Sequence, residues 1–205
     1  MAKLNFTRAL GAGLALGIIG ALCVFLILNA RARTAEQITL NEEARVNRAT
    51  AVLLPVDGDE PLSLDCRLIS DPRIGQNMRF VRATQNGESK GYILTYSTSR
   101  GYSNPLILVA GFTPDLKIHR VDIAKSNETP GLGDKVDHEH GNYLDALAGL
   151  GLDDANFEVK KFGGDFDYIT GATVTSRAVI LATRDALEVL NESDFESLPS
   201  CRVRR

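Results

Sequence analysis

The sequence predicts an α+β fold: an N-terminal transmembrane helix followed by one domain in which a mainly antiparallel sheet is packed by helices. Three observations carry that prediction. Ala9 to Ala30 is a 22-residue run whose one strongly polar side chain is Asn29. Between Met78 and Ala124, strand-like stretches are separated by short turn signals. From Thr175 to Leu190 the apolar residues fall at helical spacing.

The first run is long enough for a bilayer core, which needs about 20 apolar residues at 1.5 Å each. A cleaved signal peptide is the competing reading. Lys3 and Arg8 fit its basic flank, and Leu28-Asn29-Ala30 is a passable cleavage site. Signal-peptide cores usually span only about 7–15 residues, however, so the length favours a retained anchor. Charge does not orient the anchor, because Lys3 and Arg8 before it balance Arg31 and Arg33 after it. The expected organisation is residues 1–8 as a flank, 9–30 as the anchor, 31–55 as a juxtamembrane helix and 56–205 as the domain.

Thr34 can cap the juxtamembrane helix, and Pro55 ends it. Pro55 to Arg73 is turn-rich and leads into the domain. Met78–Ala83 and Gly91–Tyr96 flank Asn86-Gly87, a strong hairpin signal. Leu106-Ile107-Leu108-Val109 suits a central strand, and Lys117–Ala124 suits the next, with His119 as a sheet residue. Lys125–Gly141 holds Pro130 and three glycines and reads as a long irregular loop, a type that is often functional. Asn142–Leu150 reads as a short helix and Phe157–Phe162 as a strand that Gly163-Gly164 breaks. In the last helix the stripe is Ala178, Val179, Ala182, Ala186, Leu187 and Leu190, with Thr175 or Ser176 as its cap. The tail beyond Asn191 reads as polar and irregular.

The chain has 205 residues, 44% hydrophobic and 24% charged, which fits one globular domain plus an appendage. Its net charge is −3 with no basic block, which excludes a nucleic-acid partner on electrostatic grounds. Trp is absent, so a large aromatic ligand would be held mostly by aliphatic side chains and backbone. Of the three cysteines, Cys23 lies inside the apolar run. Cys66 and Cys201 lie at opposite ends of the domain. In an oxidising compartment they could form a disulfide that ties down the tail; otherwise they are two thiols. No cysteine pair has metal-ligand spacing. Asp137-His138-Glu139-His140 reads as a solvated loop rather than a metal site, because a transition metal wants more ligands in defined geometry.

The segment Asp167-Tyr168-Ile169-Thr170-Gly171-Ala172-Thr173-Val174-Thr175-Ser176 carries the most chemistry. It opens onto a helix, whose free N–H groups and positive dipole end favour an anion. Gly171 and Ala172 let a ligand approach the backbone, and four hydroxyls add donors. It is not a triphosphate-binding loop, since no Lys-Ser/Thr follows the glycine. On this physics the segment is either a phosphate site or an ordinary helix start with incidental hydroxyls.

Asp167 to Thr173 resembles the flavinylation motif Asp-x-x-Ser/Thr-Gly-Ala-Thr, with Thr170 at the Ser/Thr position. Glu128-Thr129-Pro130-Gly131-Leu132-Gly133 resembles the second block of the same FMN-binding domain. The two blocks stand in the family's order. Gly101-Tyr102-Ser103, Gly163-Gly164-Asp165-Phe166-Asp167 and the anchor extend the similarity to nearly the whole chain. It resembles the family of G subunits of Rnf/Rsx electron-transport complexes. The C subunit of the sodium-pumping NADH:quinone reductase shares both blocks and is the runner-up. A non-redox, membrane-anchored binding module is the alternative from a different class.

The resemblance implies a redox subunit of an ion-translocating complex that couples ferredoxin and NAD chemistry to ion movement, with no complete active site and no catalytic residue of its own. It implies FMN joined to Thr173 by a phosphoester. Asp167, Thr170, Gly171 and Ala172 would be the motif read by a separate flavin transferase. Glu128, Thr129, Gly131 and Leu132 would approach the ring, with Thr175 and Ser176 as further cofactor contacts. A threonine hydroxyl is a weak nucleophile, and Asp167 is the one candidate local base, so a helper enzyme makes chemical sense. The expected partners are the complex's other subunits, the transferase and membrane lipid. The expected location is a bacterial inner membrane, single-pass, with the domain in the periplasm.

Overall fold

The computed structural model describes residues 13–29, 52–56, 62–103 and 105–201. The chain divides into two compact units, residues 1–48 and 49–205. In the first, residues 13–29 are helical. Large apolar side chains lie exposed on all its faces, including Leu14, Ile18, Leu22, Phe25 and Leu28. Asn29 donates its side-chain amide to the Phe25 carbonyl at 3.1 Å, so its polarity is met within the helix. Among the described residues no helix is long and apolar enough to cross a membrane. Both ends of the expected 9–30 span lie outside the described residues, as does most of the expected helix from Thr34 to Leu54.

The second unit is built on five strands in a simple antiparallel meander: β1 (Ser63–Asp71), β2 (Gly75–Gln85), β3 (Glu88–Thr98), β4 (Leu106–Phe112) and β5 (Ile118–Lys125). Asn86 and Gly87 turn β2 into β3 with φ of 53° and 82°. Both angles are positive, as a two-residue hairpin requires. Alternation then divides the side chains. Tyr92, Leu94 and Tyr96 of β3 and Leu108, Ala110 and Phe112 of β4 enter the main core. Ile93, with Val81 and Val109, packs on the opposite face against Leu53 and Leu54.

The long helix α1 (Thr173–Glu192) covers the main-core face. Val179, Ile180, Ala182, Ala186, Leu187 and Leu190 of α1 are all buried. At the centre, the buried Tyr96 and Thr183 hydroxyls meet at 2.9 Å. Thr183 also bonds the Val179 carbonyl at 2.9 Å, so this polar pair costs the core little.

Three expectations from the sequence are corrected here. β1 lies in the stretch read as turn-rich. It is an edge strand whose charged residues, Asp65 and Arg67, pair with Arg82 and Glu196 and so hide the alternation. The tail is not irregular: it covers that edge. Leu68 donates its N–H to Pro199 at 2.8 Å, and Cys201 donates to Cys66 at 2.9 Å. Cys66 and Cys201 are joined as a disulfide, with their Cα atoms 5.4 Å apart.

The short helix expected within Asn142–Leu150 is present as a 3₁₀ helix, Tyr143–Leu147, which buries Leu144 and Leu147. Phe157–Phe162 is not a strand. Phe157 and Val159 are buried, which explains the alternation, but the segment bonds to itself. Lys160 donates to Phe166 at 2.7 Å, Phe166 to Glu158 at 3.2 Å and Gly164 to Val159 at 3.2 Å. A Cβ on Gly164 would lie 1.8 Å from the Glu158 carbonyl oxygen, so only glycine closes this loop.

Candidate functional site

Two of the sequence's blocks meet at the start of α1. Gly171, at φ +87°, turns the chain out of the preceding loop, and Ala172 is the helix N-cap. Ala172 donates its N–H to Ile169 at 2.9 Å and accepts from Ser176 at 2.9 Å. No side chain caps the helix, which corrects the expected capping by Thr175 or Ser176. Thr173 is the first helical residue. The N–H groups of Thr173, Val174 and Thr175 therefore lack intrahelical acceptors.

A cleft of about 460 Å³ opens beside this helix start. Its first wall is Gly171 to Thr175, its second is Glu128, Thr129, Leu132 and Gly133, and Tyr102 supplies the third. The volume lies in the range of small-molecule pockets. Leu132 is half exposed and Tyr102 is 77% exposed, so apolar surface lines an open mouth. A Cβ on Gly171 would make only ordinary contact with Leu132 Cδ2 at 3.4 Å, so it is the positive φ rather than space that calls for glycine here.

Glu128 holds the three walls together. It is only 8% exposed. One carboxylate oxygen accepts the Ser103 N–H at 3.0 Å, and the other accepts the Thr175 hydroxyl at 3.0 Å. Its own N–H bonds the Ser126 hydroxyl at 3.1 Å. Gly133 lies so close that a Cβ there would sit 2.8 Å from Glu128 Cβ. Glu128→Ala would strand two donors in the interior, and hydrogen bonds to a charged group each contribute about 1.5–3 kcal/mol. We expect a loss of about 2–3 kcal/mol in urea unfolding, with Glu128→Gln recovering most of it. Gly133→Ala, which displaces the same carboxylate, should resemble Glu128→Ala; behaviour like wild type would show that Glu128 is not the brace.

The remaining expected residues spread around this cleft. Thr175 is buried and lines it, but its hydroxyl is taken by Glu128. Ser176 is fully buried and does not line it; its hydroxyl accepts the Ile169 N–H at 3.1 Å. Gly131 is exposed on the turn behind Leu132, with φ +78° and its N–H on Asp134 at 2.9 Å. Thr170 is exposed. The Asp167 side chain is 82% exposed and paired with Lys160 at 2.8 Å, so it faces solvent rather than Thr173. Beneath it, the Tyr143 hydroxyl donates to the Asp167 carbonyl at 2.8 Å. Burial pushes the Tyr143 phenol up to about 12, so it stays protonated and a donor. Hence Asp167 and Thr170 form an outer surface, and Thr173, Glu128, Thr129 and Leu132 form the inner one.

Sequence reasoning gave no role to Tyr102 or Val174. It also missed a second, smaller cleft of about 250 Å³ on the other side of Thr173, lined by Arg100, Lys161, Phe162 and Arg177. Only the placement of the segment after β3 and of the 160–162 turn against α1, which carries Arg177, brings those four together. His138 and His140 do not reach either cleft. His138 bonds the Val121 carbonyl at 3.0 Å, and His140 sits 2.6 Å from Asp137, which raises its pKa.

The FMN-binding domain family matches residues 101–188, the span that holds both blocks and most of α1. The G subunit of the ion-translocating oxidoreductase complex of Vibrio vulnificus is 31% identical over 87% of this chain and 88% of its own length. The same subunit of Escherichia coli is 33% identical over 97% of this chain and 98% of its own. The crystal structure of Shewanella oneidensis NqrC aligns with a TM-score of 0.43 at 19% identity, covering 63% of this chain and 70% of that one. On the Vibrio and Escherichia relatives, the chain belongs to the G-subunit family of ion-translocating oxidoreductase complexes, and it carries that family's FMN-binding domain.

Proposed function

We propose that this domain carries FMN covalently, as a phosphoester on Thr173, and relays electrons inside an Rnf-type complex that couples ferredoxin and NAD chemistry to ion translocation. The observation that carries this reading is the place of Thr173. The residue stands at the first helical position, on the rim of the 460 Å³ cleft, where unpaired N–H groups suit a phosphate. Leu132, Thr129 and Tyr102 would hold the flat ring, and Glu128 keeps their segments in register. When bound, the flavin supplies one- and two-electron chemistry that no side chain here can.

The Thr173 hydroxyl has no carboxylate poised beside it, since Asp167 is turned to solvent and paired with Lys160. Attachment therefore calls for a flavin transferase that brings its own base and an activated flavin phosphate. The other subunits of the complex and membrane lipid complete the partners. Residues 13–29, apolar on every face, support a single-pass anchor in a bacterial inner membrane. The Cys66–Cys201 disulfide supports a domain in the oxidising periplasm.

Intact mass of the full chain, coexpressed with a flavin transferase and extracted from membranes, tests the attachment. One FMN adduct and a fluorescent band that survives denaturation are expected. A colourless chain of unmodified mass would sink the reading.

A further inference from the structure

Thr173 lines two clefts, and they differ in chemistry. The larger has Glu128 as its one charged lining residue, and that carboxylate is buried and engaged. The smaller has three cations, Arg100, Lys161 and Arg177, with no acid among its lining residues. Two of those cations have partners behind the cleft. Arg100 bonds the buried Asp185 at 2.6 Å. Arg177 is held by Glu158 through Nε at 2.9 Å and Nη2 at 2.6 Å, which leaves Nη1 without a bond to any described residue. Lys161 makes no ion pair with a described acid; its ammonium lies 5.8 Å from the centre of the Phe162 ring. The Arg177 guanidinium lies over the same ring at 4.4 Å. The half-exposed Phe162 thus sits beside both charges and shields them from water on one side.

We infer that the flavin arm divides at Thr173: its phosphodiester, one negative charge, is held from the cationic cleft by Lys161 and Arg177, while the ring lies across the apolar one. This deepens the reading of Thr173 as the attachment residue and rests on it. A phosphodiester begins one bond from Oγ, so both clefts are within its reach. The apolar cleft offers no free cation, whereas the cationic cleft offers an unpaired ammonium and a spare guanidinium N–H. Charge-assisted hydrogen bonds to phosphate oxygens are among the stronger polar contacts. Glu158 and Asp185 hold Arg177 and Arg100 in place, so the site is preorganised.

The test is a cycle on the full-length protein. Lys161→Gln and wild type are each prepared with flavin, by coexpression with the transferase, and without it. Lys161 is exposed, so its replacement leaves the fold intact. The expected result is that Lys161→Gln lowers the Tm of the flavin-bearing form by about 2–4 °C and of the flavin-free form by less than about 1 °C. Lys161→Glu should enlarge the difference, and 1 M salt should shrink it. Equal shifts in both forms would mean a structural role only and would overturn the inference. Absence of any flavin adduct in wild type would instead overturn the attachment at Thr173, so the two failures are distinct.

Discussion

Thr173→Val should abolish the proposed covalent flavin and leave the domain folded. Valine matches threonine in shape, so the change removes one hydroxyl from a half-buried position. Thr173 starts α1, and its hydroxyl neither caps the helix nor bonds another described group. The cost to stability is therefore only a few tenths of a kcal/mol of helix propensity. The chemical cost should be total, because the other hydroxyls of this segment cannot take its place and Thr129 stands on the facing wall, away from the helix start. Thr175 is buried and donates to Glu128; Ser176 is buried beneath Ile169. Thr170 is exposed but does not line the cleft. Intact mass should show the bare polypeptide, the denaturing gel should lose its fluorescence, and circular dichroism should match wild type. A retained adduct in Thr173→Val would move the attachment elsewhere and remove the basis for reading this helix start as the site.

Attachment at the phosphate end has a functional consequence. The proposed bond would lie far from the redox-active ring, so it would fix position more than electronics. A tethered flavin has a high effective concentration toward any partner that docks over the open cleft. The half-exposed Leu132 and the exposed Tyr102 at its mouth would leave one side of a ring bound there accessible. That suits a relay, in which electrons pass and no substrate need enter.

The helix-start wall of the candidate site was legible because it is local. Gly171, Ala172 and Thr173 are consecutive, and Asn86-Gly87 is a complete hairpin signal within two residues. Strands β3 and β4 were legible for the same reason: one follows the Asn86-Gly87 turn directly, and the other is a run of consecutive apolar residues. What stayed hidden is non-local. β1 carries Asp65 and Arg67 at its tail-covered edge, and the sequence alone does not show that Arg82 and Glu196 answer them. The 157–166 loop has a strand's burial pattern without a strand's partner. Glu128 was chosen through its block; its work, joining the segments of Ser103 and Thr175, depends on three loops meeting. The cationic cleft is likewise assembled from the end of β3, the 160–162 turn and the face of α1.

Breaking the Cys66–Cys201 disulfide should be the largest single blow to the stability of the domain. The bridge closes a loop with a sequence separation of 135 residues. A cross-link of that span constrains the unfolded chain strongly, and loss of a native disulfide typically costs about 2–5 kcal/mol. The folded state loses as well. Phe195, on the tail, meets the Phe80 ring edge-on at 4.9 Å, and the Arg82 guanidinium lies 4.6 Å from its centre. The N–H of Cys201 and the carbonyl of Pro199 meet the edge of β1. Releasing the tail frees that edge to pair with another chain. Urea unfolding of the Cys66→Ser/Cys201→Ser double variant, against wild type with and without reductant, should show the midpoint fall in the variant and in the reduced protein alike. The flavin adduct on Thr173 should survive, because the tail does not line either cleft. Thiol alkylation in whole cells reads the compartment from the same bond. Protection of Cys66 and Cys201 until reductant is added, read in a Cys23→Ser background, fits the periplasm, whereas free thiols at those two positions in the native protein would contradict both the bridge and the location.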